Sequence, residues 1–345
     1  MNKYPDSEIY KKVFKGLPEI SLLKAFTIDA NVKNAQRIKF EKNEIRNPKL
    51  PINSTYDLQS IKQLIEERIS IANEIKEDYK NLYLYALNKR LLSVDMILAS
   101  NRKDWDKFII LNKEYYGDYD IKIWNYSLFR LEELIKKNED KPECYEHISF
   151  LRKNININFD KKQALEIHKI LNQPLEKELE EKITKITMRD IVLPPKEEFN
   201  SFEMHQIFSN AIKSYDIDEK WSVEIHPDYE GFTIESGKKK IYVPNNKTYP
   251  KSRVQKLIPH EIGVHVQKKD NNDKNATLRI LKRNSFSNTS EEGIATLVDT
   301  IITQKQPDQY ISFMSIGLVL GLDGIKRDFR DLYEILTNTY YLKNR

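Results

Sequence analysis

The chain has a single cysteine, Cys144, in 345 residues, so no disulfide can form within it. Disulfides belong to oxidising compartments, and this usage fits a cytoplasmic protein. Long apolar runs are also missing. The longest lies near ISFMSIGLVLGL (311–322); it is too short to span a bilayer and reads as a buried helix. The opening MNKYPDSEIYKK has no apolar core of the kind a signal peptide carries, so no secretion and no membrane partner are expected. Charge of one sign is scarce: 57 basic residues against 52 acidic leave a net +5. That balance permits acidic partners without demanding them. The basic residues are dispersed and no nucleic-acid-binding module is recognised, so no nucleic acid is expected as a partner.

What is present is a 39% hydrophobic, 32% charged chain, enough for a core under a heavily solvated surface. Its length suits one large domain or two ordinary ones. Residues 60–100 repeat apolar positions at three- and four-residue spacing with few glycines or prolines, which predicts helices. Breaks fall at 46–54, 115–120, 138–143 and 172–177. The two prolines of VLPPKEEF (192–199) mark the best boundary, separating a helical region at 1–195 from a second domain at 196–345. Beyond it, residues 200–215 read as a helix, and WSVEIH (221–226), GFTIES (231–236) and KKIYVP (239–244) read as short strands. SGKK is a plausible hairpin turn between the last two. The fold class expected is α+β, mostly α.

The informative stretch is PHEIGVHVQ (259–267). Zinc peptidases commonly carry H-E-x-x-H, with histidines four apart on one helical face. Here His260 and His265 are five apart. At about 100° per residue a regular helix would set them roughly 140° apart, too far to share an ion. One π-type turn adds a residue and brings them within roughly 40°. Gly263, between them, eases that distortion, and Pro259 removes a helical hydrogen bond just before His260. Ser252 is expected as the N-cap of this helix, with Gln255 completing a capping box.

With such a turn, neutral imidazoles would bind Zn²⁺, and a third protein ligand would leave one position for water. Glu261, beside the first histidine, is placed to act as general base and acid. SNTSEEGIATLVDTII (287–302) offers Glu291 and Glu292 as the third ligand; Glu292, 27 residues past His265, is favoured. Each has a plainer reading. Glu292 is the fourth residue of a capping box begun by Thr289, and Glu291 is a favourable charge near a helix start. His147, His168, His205 and His226 carry no ligand spacing.

Taken together, HEIGVH (260–265) and EEGIA (291–295) resemble the paired motifs of the microtubule-associated tyrosine carboxypeptidase (MATCAP) family, whose bacterial relatives are called flavohaemoglobin expression-modulating QEGLA-motif proteins. Looser similarities run through ISLLKAFTIDANVKNAQRIKFEKNEIRNP (20–48), LNKEYYGDYD (111–120), KKKIYVPNN (238–246) and GIKRDFRDLYEIL (324–336). The resemblance implies a helical N-terminal region packed on a zincin-like metallopeptidase domain with a small sheet and an HExxxH helix. It also implies His260, His265 and Glu292 as zinc ligands, Glu261 as base, and removal of a C-terminal residue from a protein or peptide tail. Substrate is expected along the 239–244 strand, which carries Tyr242, because edge strands bind extended peptides. Lys268 is the expected partner of the terminal carboxylate, with Arg279 or Arg283 as substitutes and 270–288 as a lid. The alternatives are a zinc endopeptidase and a catalytically inactive metal-binding regulatory protein.

Overall fold

The computed structural model describes all residues except 1–6, 19, 21, 23–27, 50–55, 76–78, 190, 228, 230, 275–284 and 305–308, and gives backbone alone for Ser7, Ala30 and 285–289. The described chain is mostly helical with two small sheets. No helix among the described residues is long and apolar enough to cross a membrane.

Two compact units are drawn from interleaved segments: Met1–Gly16, Glu66–Lys89 and Pro174–Pro307 form one, and Leu17–Ile65, Arg90–Gln173 and Asp308–Arg345 the other. This differs from a single cut near residue 195. Local texture tells where a helix runs, but which helices share a core depends on burial between distant segments. The last two helices, Tyr310–Val319 and Phe329–Lys343, belong with Ile121–Asn138 and Tyr145–Asn154 rather than with the residues just before them.

In that second unit, Trp124, Leu128, Leu131 and Ile135 recur at three- and four-residue spacing and pack with Ile148, Leu151, Met314, Leu318 and Ile335. Gly317 lies so close to Trp124 that a Cβ would meet the indole at 2.2 Å. The apolar 311–322 run is half covered rather than fully buried: Ile311 and Met314 face inward, whereas Ile316 and Val319 stay exposed. Cys144 is free and buried in this same core.

The first unit carries both sheets. Strands β1 (Glu198–Asn200), β2 (Ser222–His226), β3 (Thr233–Glu235), β4 (Lys240–Pro244) and β5 (Thr248–Pro250) fall where β propensity predicts three of them and add two short ones. β1 pairs antiparallel with β5, Phe199 opposite Tyr249. The other sheet has the order β2-β4-β3, with β2 parallel and β3 antiparallel to β4. Lys239 takes a positive φ of 53° in the turn that joins β3 to β4. The strand at 239–244 is therefore central, not an edge, and its backbone is paired on both sides. β2 and β3 are the outer strands, each with an open side among the described residues.

Alternation puts Val223, Ile234, Ile241 and Val243 on one face. They bury against Phe208, Ile212 and Tyr215, from the helix Ser201–Ser214 and the turn after it, and against Ile258, Ile262 and Val266. The Ser201–Ser214 helix starts with a full capping box, Asn200 with Glu203.

Candidate metal centre

The motif helix begins directly from β5. Its first segment is Lys251–Leu257, and Pro250 is the N-cap with no side-chain cap. Ser252 thus lies inside the helix and not at its start, because the strand runs to Pro250 without a turn. Ile258–Val266 then winds as a π-helix, with the Gln267 N–H reaching back five residues to the Ile262 carbonyl. In such a segment residues five apart align as residues four apart do in an α-helix. His260 and His265 accordingly face each other, ring centroids 5.1 Å apart.

The π-helix is held open on two sides. Ile258, Ile262 and Val266 fill the core under the sheet, and Val264 packs with Ile183, Ala295 and Val298. Gly263 passes against the end of the Lys177–Thr187 helix. A Cβ there would meet the Thr187 carbonyl oxygen at 2.2 Å and the Tyr215 ring at 3.0 Å. The Tyr215 hydroxyl donates to that same carbonyl at 2.6 Å. Only glycine allows so close a backbone approach.

The helix Ser285–Thr303 supplies the opposing carboxylates. It starts before Thr289, so Glu291 and Glu292 sit in its second turn rather than in a capping box. Asp299 Oδ1 lies 3.1 Å from His260 Nδ1, and Glu291 Oε1 lies 2.5 Å from His265 Nδ1. An ionised carboxylate only accepts, so each Nδ1 carries the hydrogen and each Nε2 keeps its lone pair. Glu292 Oε1 lies 3.8 Å from His265 Nε2. His260, His265 and Glu292 each offer one ligand atom, all within 4.8 Å of one another, and this cluster can hold a metal ion. The Glu292 side chain is 69% exposed, so the cluster opens to solvent.

Lysines balance the carboxylates. Lys256 pairs with Asp299 at 2.9 Å, and Lys268 pairs with Glu291. Burial pulls the His260 imidazole down, but the hydrogen bond and charge of Asp299, with the charges of Glu261 and Glu292, together raise its pKa. Burial would raise Asp299 and Glu291, yet their histidine and lysine partners hold both carboxyls below the usual range. Burial raises Glu261, against the pull of His260 and His265. It lowers Lys269, against the pull of Glu291 and Glu261. Four carboxylates face three ammonium groups here, an arrangement that favours one further cation.

Ile234, Glu261, His265, Lys269, Glu291 and Glu292 line one open cavity of about 360 Å³. Of the residues singled out from sequence, His260, Glu261, His265 and Glu292 come together. Lys268 lies nearby but is engaged by Glu291. Tyr242 is not part of the cavity. It stands on the sheet face opposite Ile241, its ring stacked on Tyr229 at 4.9 Å and its hydroxyl 3.3 Å from Glu235. Arg279, Arg283 and most of the 270–288 segment fall outside the described residues. The other four histidines do not join the cluster; His147, for instance, stacks on Tyr341.

Residues 145–340 match the family described as microtubule-associated tyrosine carboxypeptidase. The chain belongs to the MATCAP family. No curated protein and no solved structure matches it. The family's description is that of a carboxypeptidase, so this MATCAP chain belongs with hydrolases whose substrates are proteins. Its matched span contains His260, His265 and Glu292 and both carboxylates behind the histidines.

Sequence reasoning missed Asp299 and Lys256, and it saw Glu291 only as a rival ligand. A signal existed for Asp299. It follows Glu292 by seven residues, which returns to the same helical face within about 20°. Lys256 precedes His260 by four residues and so lies on the same side of the motif helix.

Proposed function

We propose that the protein is a zinc-dependent metallopeptidase of the carboxypeptidase type, removing a C-terminal residue from a protein or peptide tail, in a zincin-like arrangement. The observation that carries this reading is the pair of carboxylate-backed histidines, His260 with Asp299 and His265 with Glu291, facing Glu292. Two imidazoles and one carboxylate are a zinc donor set that leaves a position open for water. Carboxylates behind metal-binding histidines fix the tautomer and raise ligand basicity, and both histidines have one.

His260, His265 and Glu292 would hold the ion. A bound zinc supplies Lewis-acid polarisation of the scissile carbonyl and lowers the pKa of water. Glu261, next to His260 and lining the cavity, takes the proton of the attacking water and passes it to the leaving amine. Its burial raises its pKa toward the working range of a base that must also serve as an acid. The extended substrate lies along the open side of β3, whose Ile234 lines the cavity. The catalytic part is the stretch from residue 196 to the end of the first unit. The cytoplasmic location expected from cysteine usage belongs to the same proposal.

The test is turnover. Purified, zinc-loaded protein is incubated with a panel of peptides differing in their last residue, tyrosine included, and the products are read by mass spectrometry. Loss of single C-terminal residues supports the proposal. Internal cleavage supports an endopeptidase instead, and intact peptides throughout would rule out both.

A further inference from the structure

The cavity contains one cation that the metal-binding framework does not use. Lys256 is held by Asp299 and Lys268 by Glu291, so both serve the carboxylates behind the histidines. Lys269 lines the cavity itself, together with Glu261 and His265. Among the described residues no carboxylate lies within ion-pair distance of its ammonium group, although Glu261, Glu291 and Glu292 all act on it from farther away.

Spacing gives this lysine a meaning. Glu261, His265 and Lys269 follow one another at four-residue intervals along the motif helix and its continuation, Gln267–Lys274. Lys269 therefore lies about 6 Å of helix rise past His265. One peptide residue spans about 3.8 Å between α-carbons. A substrate whose scissile carbonyl sits at the histidine cluster would carry its terminal carboxylate one residue further on, within reach of a lysine stem. A chain continuing past that point would have to leave this ammonium unpaired.

Resting on the peptidase reading above, we infer that Lys269 is the substrate-anchoring residue that binds the free α-carboxylate of the C-terminal residue, and thereby makes the enzyme an exopeptidase. Lys268, the neighbour expected from sequence, instead positions Glu291. The ligand class is a peptide with an unblocked C-terminus.

The experiment is binding, made in a Glu261→Gln background that blocks cleavage. Fluorescence anisotropy is measured with a fluorescein-labelled hexapeptide ending in tyrosine, as the free acid and as the amide. A charge-assisted pair is expected to make the acid bind about 10-fold or more tighter than the amide. Adding Lys269→Gln removes that difference, Lys269→Arg restores it, and zinc content stays unchanged in both. The inference is overturned if acid and amide bind alike, if the preference survives Lys269→Gln, or if the acid does not bind. Turnover of the same peptides by the wild type separates the two claims. A lysine-dependent acid preference without turnover keeps the anchor and ends the peptidase reading. Cleavage that is indifferent to Lys269→Gln does the reverse.

Discussion

His265 Nδ1 and Glu291 Oε1 lie 2.5 Å apart in a buried contact, and Lys268 secures the far oxygen of the same carboxylate. This fixes the ring so that Nε2 faces Glu292. Glu291→Ala should therefore weaken zinc binding about 10- to 100-fold while leaving all three ligands in place. Competition with a chromophoric chelator measures it. Unchanged affinity would reduce Glu291 to a structural partner of Lys268 with no hold on the metal.

Gly263 should not tolerate alanine. The added methyl meets the Thr187 carbonyl, which is backbone, so something in the π-helix or in the Lys177–Thr187 helix must move. Overpacking of this kind costs about 1–3 kcal/mol. Urea unfolding should report the loss, and metal affinity should fall with it because the π-helix aligns the histidines. A Gly263→Ala protein with the wild-type midpoint would contradict the close approach.

Burial pushes the Tyr215 phenol up to about 12, despite the nearby Arg189. An unfolded tyrosine ionises near 10. Between about pH 10 and 12 the unfolded chain has lost a proton that the native chain keeps, so stability falls as pH rises. The contribution is complete below pH 10 and gone above 12. Tyr215→Phe should flatten that part of the alkaline decline in urea midpoints between pH 9 and 11.5. The comparison is of slopes, since the variant also loses the hydrogen bond to Thr187.

Glu261→Gln should separate binding from chemistry. General acid–base catalysis contributes about 10²–10⁴-fold, so kcat should drop by that factor. Zinc content and fold should hold, because Glu261 is not one of the three clustered ligand residues. Loss of metal together with activity would mean that its role is structural.

Much of this site was legible in the chain because its signals are local. The five-residue spacing of His260 and His265 asks for a π-type turn, and Ile258–Val266 is one. The helix at 200–215 and the strands β2, β3 and β4 were likewise readable from local pattern. What was hidden depends on pairing between distant segments. That β4 is central and β2 and β3 are the outer strands follows from strand order, which no single strand encodes. That Asp299 stands behind His260, and that Lys268 is spent on Glu291 while Lys269 faces the cavity, follows from how two helices meet. The interleaved units are invisible for the same reason.

The most direct test of the account is metal content by mass spectrometry, on protein purified without added metal, comparing wild type with His260→Ala and Glu292→Ala. The account predicts close to one zinc per chain in the wild type and its loss in both variants. No zinc in the wild type after dialysis against it, or zinc retained in both variants, would contradict it.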